Sequence, residues 1–263
     1  MAYIKRWYVE NSYNNYNHFI ISNDEDLMVV IDPYDAEDVL KRMDDYKKVR
    51  LAGILLTHEH MDHYRGAKFL SDQTKAPIYA HYSNINDVPK MDINLYGGDE
   101  ISFGKDIHLQ VIETPGHIKG HVCFYSKKDA FLVCGDTVFN AGVGNVKALS
   151  SNISDLFYSI EKLLKLPLHT KIYPAHDYFE NNLSFMSSLN MKNECIQHFL
   201  TKVSKETPNT RYVSTLDDEL KYNYFLMARK NDLVDTLRNI SGQRDLSAGV
   251  SAFNVLRKLR DKW

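Results

Sequence analysis

At 263 residues, with 44 % hydrophobic and 25 % charged residues, the chain can hold one large domain, or a main domain with an appendage, and has the balance of a globular protein. No apolar run approaches the ~18 residues of a membrane span, and a net charge of −2, with residues 1–176 net acidic, argues against a broad nucleic-acid-binding surface. Cys123, Cys134 and Cys195 form no CxxC pair and no even framework; with an N-terminus that lacks the apolar core of a signal peptide, this predicts a cytoplasmic protein.

Three strands open the chain, at 4–9, 18–22 and 27–31, separated by Asn/Asp-rich turns, and Asp32-Pro33 closes the third. Residues 35–46 predict a helix with Val39, Leu40 and Met43 on one face. Strand 51–56 follows, then a His-rich loop and a helix over 64–70. Further strands are expected at 77–82, 99–103, 107–113, 121–126, 130–134 and 171–173, with a helix at 155–165. Beyond His176 only helices are expected, at 179–189, 192–204, 230–239 and 249–261, with a break at Thr207-Pro208-Asn209. The pattern predicts a layered α/β domain over 1–176 and a helical C-terminal domain over 177–263.

The loop after strand 51–56 carries the densest chemistry. His58, His60, Asp62 and His63 fall within six residues. Alternate residues of an extended segment point the same way, so His58 and His60 can converge on one ion while Asp62 and His63 open the next segment. Imidazole and carboxylate are ordinary ligands for zinc and similar divalent metals. Three later strands stop at small or turn residues and then present His117, Asp136 and His176. Taken singly, Asp136 is equally a turn residue and each histidine an ordinary loop histidine. Together with His58–His63 they suit two metals about 3.5–4 Å apart, the spacing of two-metal hydrolytic sites. There is no G-x-S-x-G nucleophile elbow.

Thr57-His58-Glu59-His60-Met61-Asp62-His63, Thr114-Pro115-Gly116-His117 with Gly120-His121, Gly135-Asp136-Thr137-Val138-Phe139 and Ala175-His176-Asp177-Tyr178 with Asn181-Asn182-Leu183 resemble the metallo-β-lactamase superfamily. Ser214-Thr215-Leu216-Asp217-Asp218-Glu219, then Asn223 and Phe225, and the basic, Trp-ended tail 256–263 resemble its glyoxalase II branch, the hydroxyacylglutathione hydrolases. The resemblance implies a four-layer αββα sandwich with an all-helical C-terminal domain. It implies His58, His60 and His117 on one metal, Asp62, His63 and His176 on a second, and Asp136 bridging, with zinc as the default and iron or manganese as alternatives. Asp62 would also orient the nucleophile, and His121 would support the site rather than ligate. Tyr178, Arg257 and Arg260 would meet the glutathione part of a thioester substrate, whose two carboxylates suit a basic tail; the other reading of the two arginines is a solvated helix face.

The chain departs from the family at Gly142-Val143-Gly144-Asn145-Val146-Lys147-Ala148, where Asn145 replaces a basic residue and Lys147 can supply a cation from a shifted position. It departs again at Asn223-Tyr224-Phe225-Leu226-Met227, which lacks the family's Pro and Arg, and at His63-Tyr64-Arg65-Gly66. The function expected is hydrolysis of S-D-lactoylglutathione by a monomer or weak homo-oligomer, without nucleic-acid or membrane partners. The alternatives are a persulfide dioxygenase, a lactonase or other hydrolase of the superfamily, and a metal-stabilised binding protein without turnover.

Overall fold

The computed structural model describes residues 2–24, 26–46, 49–84 and 86–263. Its first half runs β1 (Tyr3–Tyr8), β2 (Tyr16–Ile21), β3 (Leu27–Ile31), α1 (Ala36–Met43), β4 (Arg50–Leu55), α2 (Met61–Tyr64), α3 (Ala67–Thr74), β5 (Ile78–His81) and β6 (Ile93–Leu95). These strands form one sheet in chain order, antiparallel from β1 to β3 and parallel from β3 to β6. The second sheet is built from β7 (Glu100–Phe103), β8 (Ile107–Glu113), β9 (Val122–Ser126), β10 (Phe131–Gly135) and β13 (Lys171–Pro174), in the order β13-β10-β9-β8-β7. A small hairpin of β11 (Val138–Phe139) and β12 (Gly142–Val143) follows β10, and α4 (Ile153–Leu163) precedes β13. The chain ends in α5 (Phe179–Ser188), α6 (Glu194–Val203), α7 (Leu216–Tyr222), α8 (Asn231–Ser241) and α9 (Val250–Lys262).

The strand alternation explains the layering. Phe19, Ile21, Met28 and Val30 pack with Val39 of α1 and Leu70 of α3 on the outer side of the first sheet. Their neighbours Ile20, Val29 and Ile31 face the other way and meet Leu109, Val111, Phe124 and Val133 of the second sheet. Cys123, Leu132 and Cys134 point outward from the second sheet and join one apolar cluster with α4 and the C-terminal helices. The result is the expected helix–sheet–sheet–helix sandwich. The helices beyond residue 177 share their core with the second sheet.

Local differences have identifiable causes. The helix expected at 64–70 is two helices, α2 and α3, broken at Arg65-Gly66. Gly66 lies against the 33–36 turn, where a Cβ would come within 2.6 Å of the Pro33 carbonyl oxygen. The short elements β6, β11, β12 and α7 are additional to the pattern the sequence predicts. Strands of two or three residues are too short to show a period, and α7 is set by a capping box between Thr215 and Asp218.

Candidate metal centre

The ligand candidates converge where loops leave β4, β8, β10 and β13. His58, His60 and His117 each offer a ligand atom to one cluster, and Asp62, His63 and His176 to another. Asp136 lies between them. Its Oδ1 is 3.2 Å from His176 Nε2 and 3.5 Å from His63 Nε2, and its Oδ2 is 3.5 Å from His117 Nε2. Asp62 Oδ2 is 3.5 Å from His63 Nε2 and 3.6 Å from His176 Nε2. In the first cluster His60 Nδ1 faces His58 Nε2 at 2.9 Å and His117 Nε2 at 3.0 Å.

The outer partners fix which nitrogen carries each proton. A carbonyl oxygen can only accept. His117 Nδ1 therefore donates to the Asn145 carbonyl (2.8 Å), and His176 Nδ1 to the Tyr13 carbonyl (2.8 Å). Thr57 Oγ1 donates to Asp32 Oδ2 (2.7 Å) and is left to accept from His58 Nδ1 (3.0 Å). His63 Nδ1 pairs with the same Asp32 oxygen (2.9 Å). Outer hydrogen bonds of this kind orient metal-binding imidazoles and set their tautomer. The Nε2 atoms of His58, His63, His117 and His176 are thereby the ring nitrogens turned inward.

Charge sorts the cluster into two kinds of group. Burial, then the neighbouring imidazoles, pushes His58 well down, and burial with His117 and His63 lowers His60 to about 4. Burial also acts to lower His63, but Asp136, Asp32 and Asp62 outweigh it and raise it to about 9. Burial opposes ionisation of Asp136, yet His176 and His63 hold it well below the usual carboxylate range.

The donor set fits divalent cations. Ligand atoms on a tetrahedral ion at zinc distances are separated by about 3.3 Å, and the separations here run from 2.9 to 3.6 Å. His63 Nε2 and Asp136 Oδ1 are buried and make no hydrogen bond, an arrangement that costs free energy unless a cation satisfies both.

His121 stands beside the cluster with both ring nitrogens engaged. Nε2 accepts from the Asp136 backbone N–H (3.0 Å), and Nδ1 meets Thr114 Oγ1 (2.9 Å). It fixes the Asp136 backbone. Gly116 adopts φ +139°, and a Cβ there would lie 2.2 Å from Leu156 N at the start of α4. Gly116→Ala should destabilise the protein by about 1–3 kcal/mol through overpacking and displace the adjacent His117. Thermal melting together with metal content checks this; an unchanged melting curve would contradict it.

The substrate-side candidates are more dispersed. Tyr178 stacks on His176 (centroids 5.0 Å, planes 8° apart) and donates to the Tyr13 carbonyl (3.0 Å). Arg260 is half-buried over Phe185 and Trp263 and bonds the side-chain oxygens of Asn181 and Asn182. Arg257 is only 7 % exposed. It donates to the Val143 carbonyl (3.1 Å) and pairs with Asp261 (2.9 Å). Neither arginine is a solvated helix face. Lys147 is exposed.

The 142–148 loop, where the sequence departs from the family, packs directly on the centre. The Asn145 carbonyl orients His117, and a Cβ on Gly144 would meet the Asp136 carbonyl oxygen at 2.1 Å. This support is main-chain, so side chains there can change without moving the ligands. Sequence reasoning missed Asn15, Asp32 and Thr57 as supporting residues, and the carbonyls of Tyr13 and Asn145. Asp32, in sequence only the end of a strand, is 2 % exposed and holds Thr57 and His63. The carbonyls carry no residue-type signal at all.

Comparison with known proteins bears on the fold and the family. The profile of the metallo-beta-lactamase superfamily matches residues 16–176, and that of the hydroxyacylglutathione hydrolase C-terminus matches residues 177–263. The chain is 35 % identical over 261 residues to the hydroxyacylglutathione hydrolase of Francisella tularensis subsp. novicida, covering 99 % of each. It is 36 % identical over 267 residues to that of Francisella philomiragia subsp. philomiragia, again over 99 % of each. Among solved structures, ETHE1 from Myxococcus xanthus has the same fold at 20 % identity and a TM-score of 0.67, covering 98 % of each chain. The BLEG-1 B3 metallo-beta-lactamase matches at 22 % identity and a TM-score of 0.65, over 85 % of this chain and 99 % of its own. The fold, the candidate site for divalent cations and the full-length relatives agree: the chain belongs to the metallo-beta-lactamase superfamily and, within it, to the hydroxyacylglutathione hydrolase family.

Proposed function

We propose that the chain is a metal-dependent thioester hydrolase of the glyoxalase II type, converting S-D-lactoylglutathione to D-lactate and glutathione in methylglyoxal detoxification. The observation that carries this reading is similarity to hydroxyacylglutathione hydrolases along the whole chain, both halves included. His58, His60 and His117 would hold one cation, Asp62, His63 and His176 the other, and Asp136 both. Two divalent cations so held, zinc by ligand type with iron or manganese as alternatives, supply an acidified water and a polarised carbonyl.

The protein's own part is to place and exclude. Asp62, with a side chain 19 % exposed against 10 % for Asp136, is the more open of the two acids, and orients the attacking water and accepts its proton. A departing thiolate is stable enough to need no strong acid from the protein. Residues 1–176 carry the chemistry, and residues 177–263 carry the thiol-side contacts through Tyr178 and Arg260, with Lys147 contributing from the 142–148 loop; Arg257, expected there too, is buried against the Val143 carbonyl and Asp261 and supports that loop instead. Free thiols at Cys123, Cys134 and Cys195 accord with a cytoplasmic setting. Among the described residues no helix is long and apolar enough to cross a membrane. A monomer or weak homo-oligomer acting on a small molecule completes the proposal.

The test is turnover of S-D-lactoylglutathione against a panel of other thioesters and lactones, with metal measured on the same sample. Chelator treatment should remove activity to background, and zinc should restore it. Preference for a lactone, or activity that survives complete metal removal, would overturn the assignment.

A further inference from the structure

We infer that Asn15 is a positioning residue for the second cation position, and that the loop joining β1 to β2 clamps Asp62 and His176 at their working separation. The inference rests on the dinuclear reading above.

Asp62 and His176 come from distant parts of the chain, and the 11–15 segment touches both. Asn15 is 2 % exposed. Its Nδ2 donates to the Asp62 carbonyl (3.2 Å) and to Asp62 Oδ2 (3.3 Å), the oxygen that faces His63 and His176. Its Oδ1 is occupied by Asn11 Nδ2 (2.9 Å). An amide has one acceptor end and one donor end, so Asn11 fixes the orientation and turns the donor end of Asn15 toward Asp62.

The same segment reaches the other ligand through its backbone. The Tyr13 carbonyl accepts from His176 Nδ1, and residues 15 and 176 form a β-bridge. The bridge is extended by Tyr16 N–H donating to the Ala175 carbonyl (2.7 Å) and Asp177 N–H to the Asn14 carbonyl (2.9 Å). Asn14 is held in the left-handed region at φ 57°, and its Oδ1 accepts from the Tyr8 hydroxyl (2.7 Å). The loop is thus pinned to β1 on one side and to the end of β13 on the other. One rigid segment fixes both ligands, so their separation does not depend on the long chain path between them. The first cluster, His58, His60 and His117, has separate supports in Thr57 and Asn145.

The two positions should therefore respond differently. Asn15→Asp keeps the shape and the acceptor for Asn11 but removes the donor to Asp62. Competition with a chromophoric chelator, using zinc on the full-length protein, should show one of two cations bound about 10–100-fold more weakly and the other unchanged. Asn11→Ala, which touches no ligand, should weaken the same cation by a smaller factor, and gives the test a second route if Asn15→Asp folds poorly. Two cations held with wild-type affinity in folded Asn15→Asp, or equal weakening of both, would overturn the inference while leaving the dinuclear reading intact. Fewer than two cations in the wild-type protein would overturn that reading and this inference with it.

Discussion

Asp62→Ala should lower thioester hydrolysis by at least about 10²–10⁴-fold, the range for loss of a positioned general base, and lower occupancy of the second cation position in parallel. Asp62 Oδ2 stands within 3.6 Å of both His63 and His176, so its removal opens one corner of that cluster while the three-histidine cluster keeps all its members. The fold should survive. Asp62 sits in the first turn of α2 and is no part of the three apolar clusters. The measurements are kcat on S-D-lactoylglutathione, metal per chain and the melting curve. Near-normal turnover in a folded, metal-replete Asp62→Ala protein would remove Asp62 from the mechanism. His117→Ala should be similarly inactive, with the loss of cation now from the other cluster.

The second large effect is on stability. Glu219→Ala should destabilise the fold by about 3–5 kcal/mol, because it strands several buried donors at about 1–3 kcal/mol each. That is a large share of the about 5–15 kcal/mol that holds a typical domain. Glu219 is 0 % exposed and collects five donors. Asn140 Nδ2 and the hydroxyls of Ser214 and Tyr222 converge on Oε1 at 3.2, 2.7 and 2.9 Å. The Ala141 N–H and Asn223 Nδ2 meet Oε2 at 2.8 and 3.0 Å. Burial pushes this carboxyl up, against donors from Ser214, Ala141, Asn223 and Asn140 that favour its ionised form. Asn223 also donates to the Gly142 carbonyl (3.1 Å), so the network ties the β11–β12 hairpin to α7. Glu219→Gln should cost less, about 1–3 kcal/mol, because its amide nitrogen faces a donor without an acceptor. Chemical unfolding of both variants checks the order; a wild-type midpoint for Glu219→Ala would show that the network contributes nothing.

By itself the sequence determined the family, the strands and the residues that stand as candidate ligands at their ends. His58 to His63 lie close in the chain behind an apolar strand, and His117, Asp136 and His176 each follow a strand end, so local pattern was enough to single out the residues that the fold brings together. The layers were legible for the same reason, since Phe19 and Ile20, or Leu132 and Val133, alternate between two cores. The tertiary structure alone decided what supports the ligands. Asn15 reaches Asp62 across 47 residues and Asn145 reaches His117 across 28, and both contacts use carbonyls that every residue possesses. Only the fold could show that Arg257, basic and near the end of an amphipathic helix, is buried against Val143, or that Glu219 is the centre of a network rather than a surface acid. Chemistry that depends on residue type is written locally along a chain. Support that depends on main-chain groups and on distant partners exists only once the chain has closed on itself.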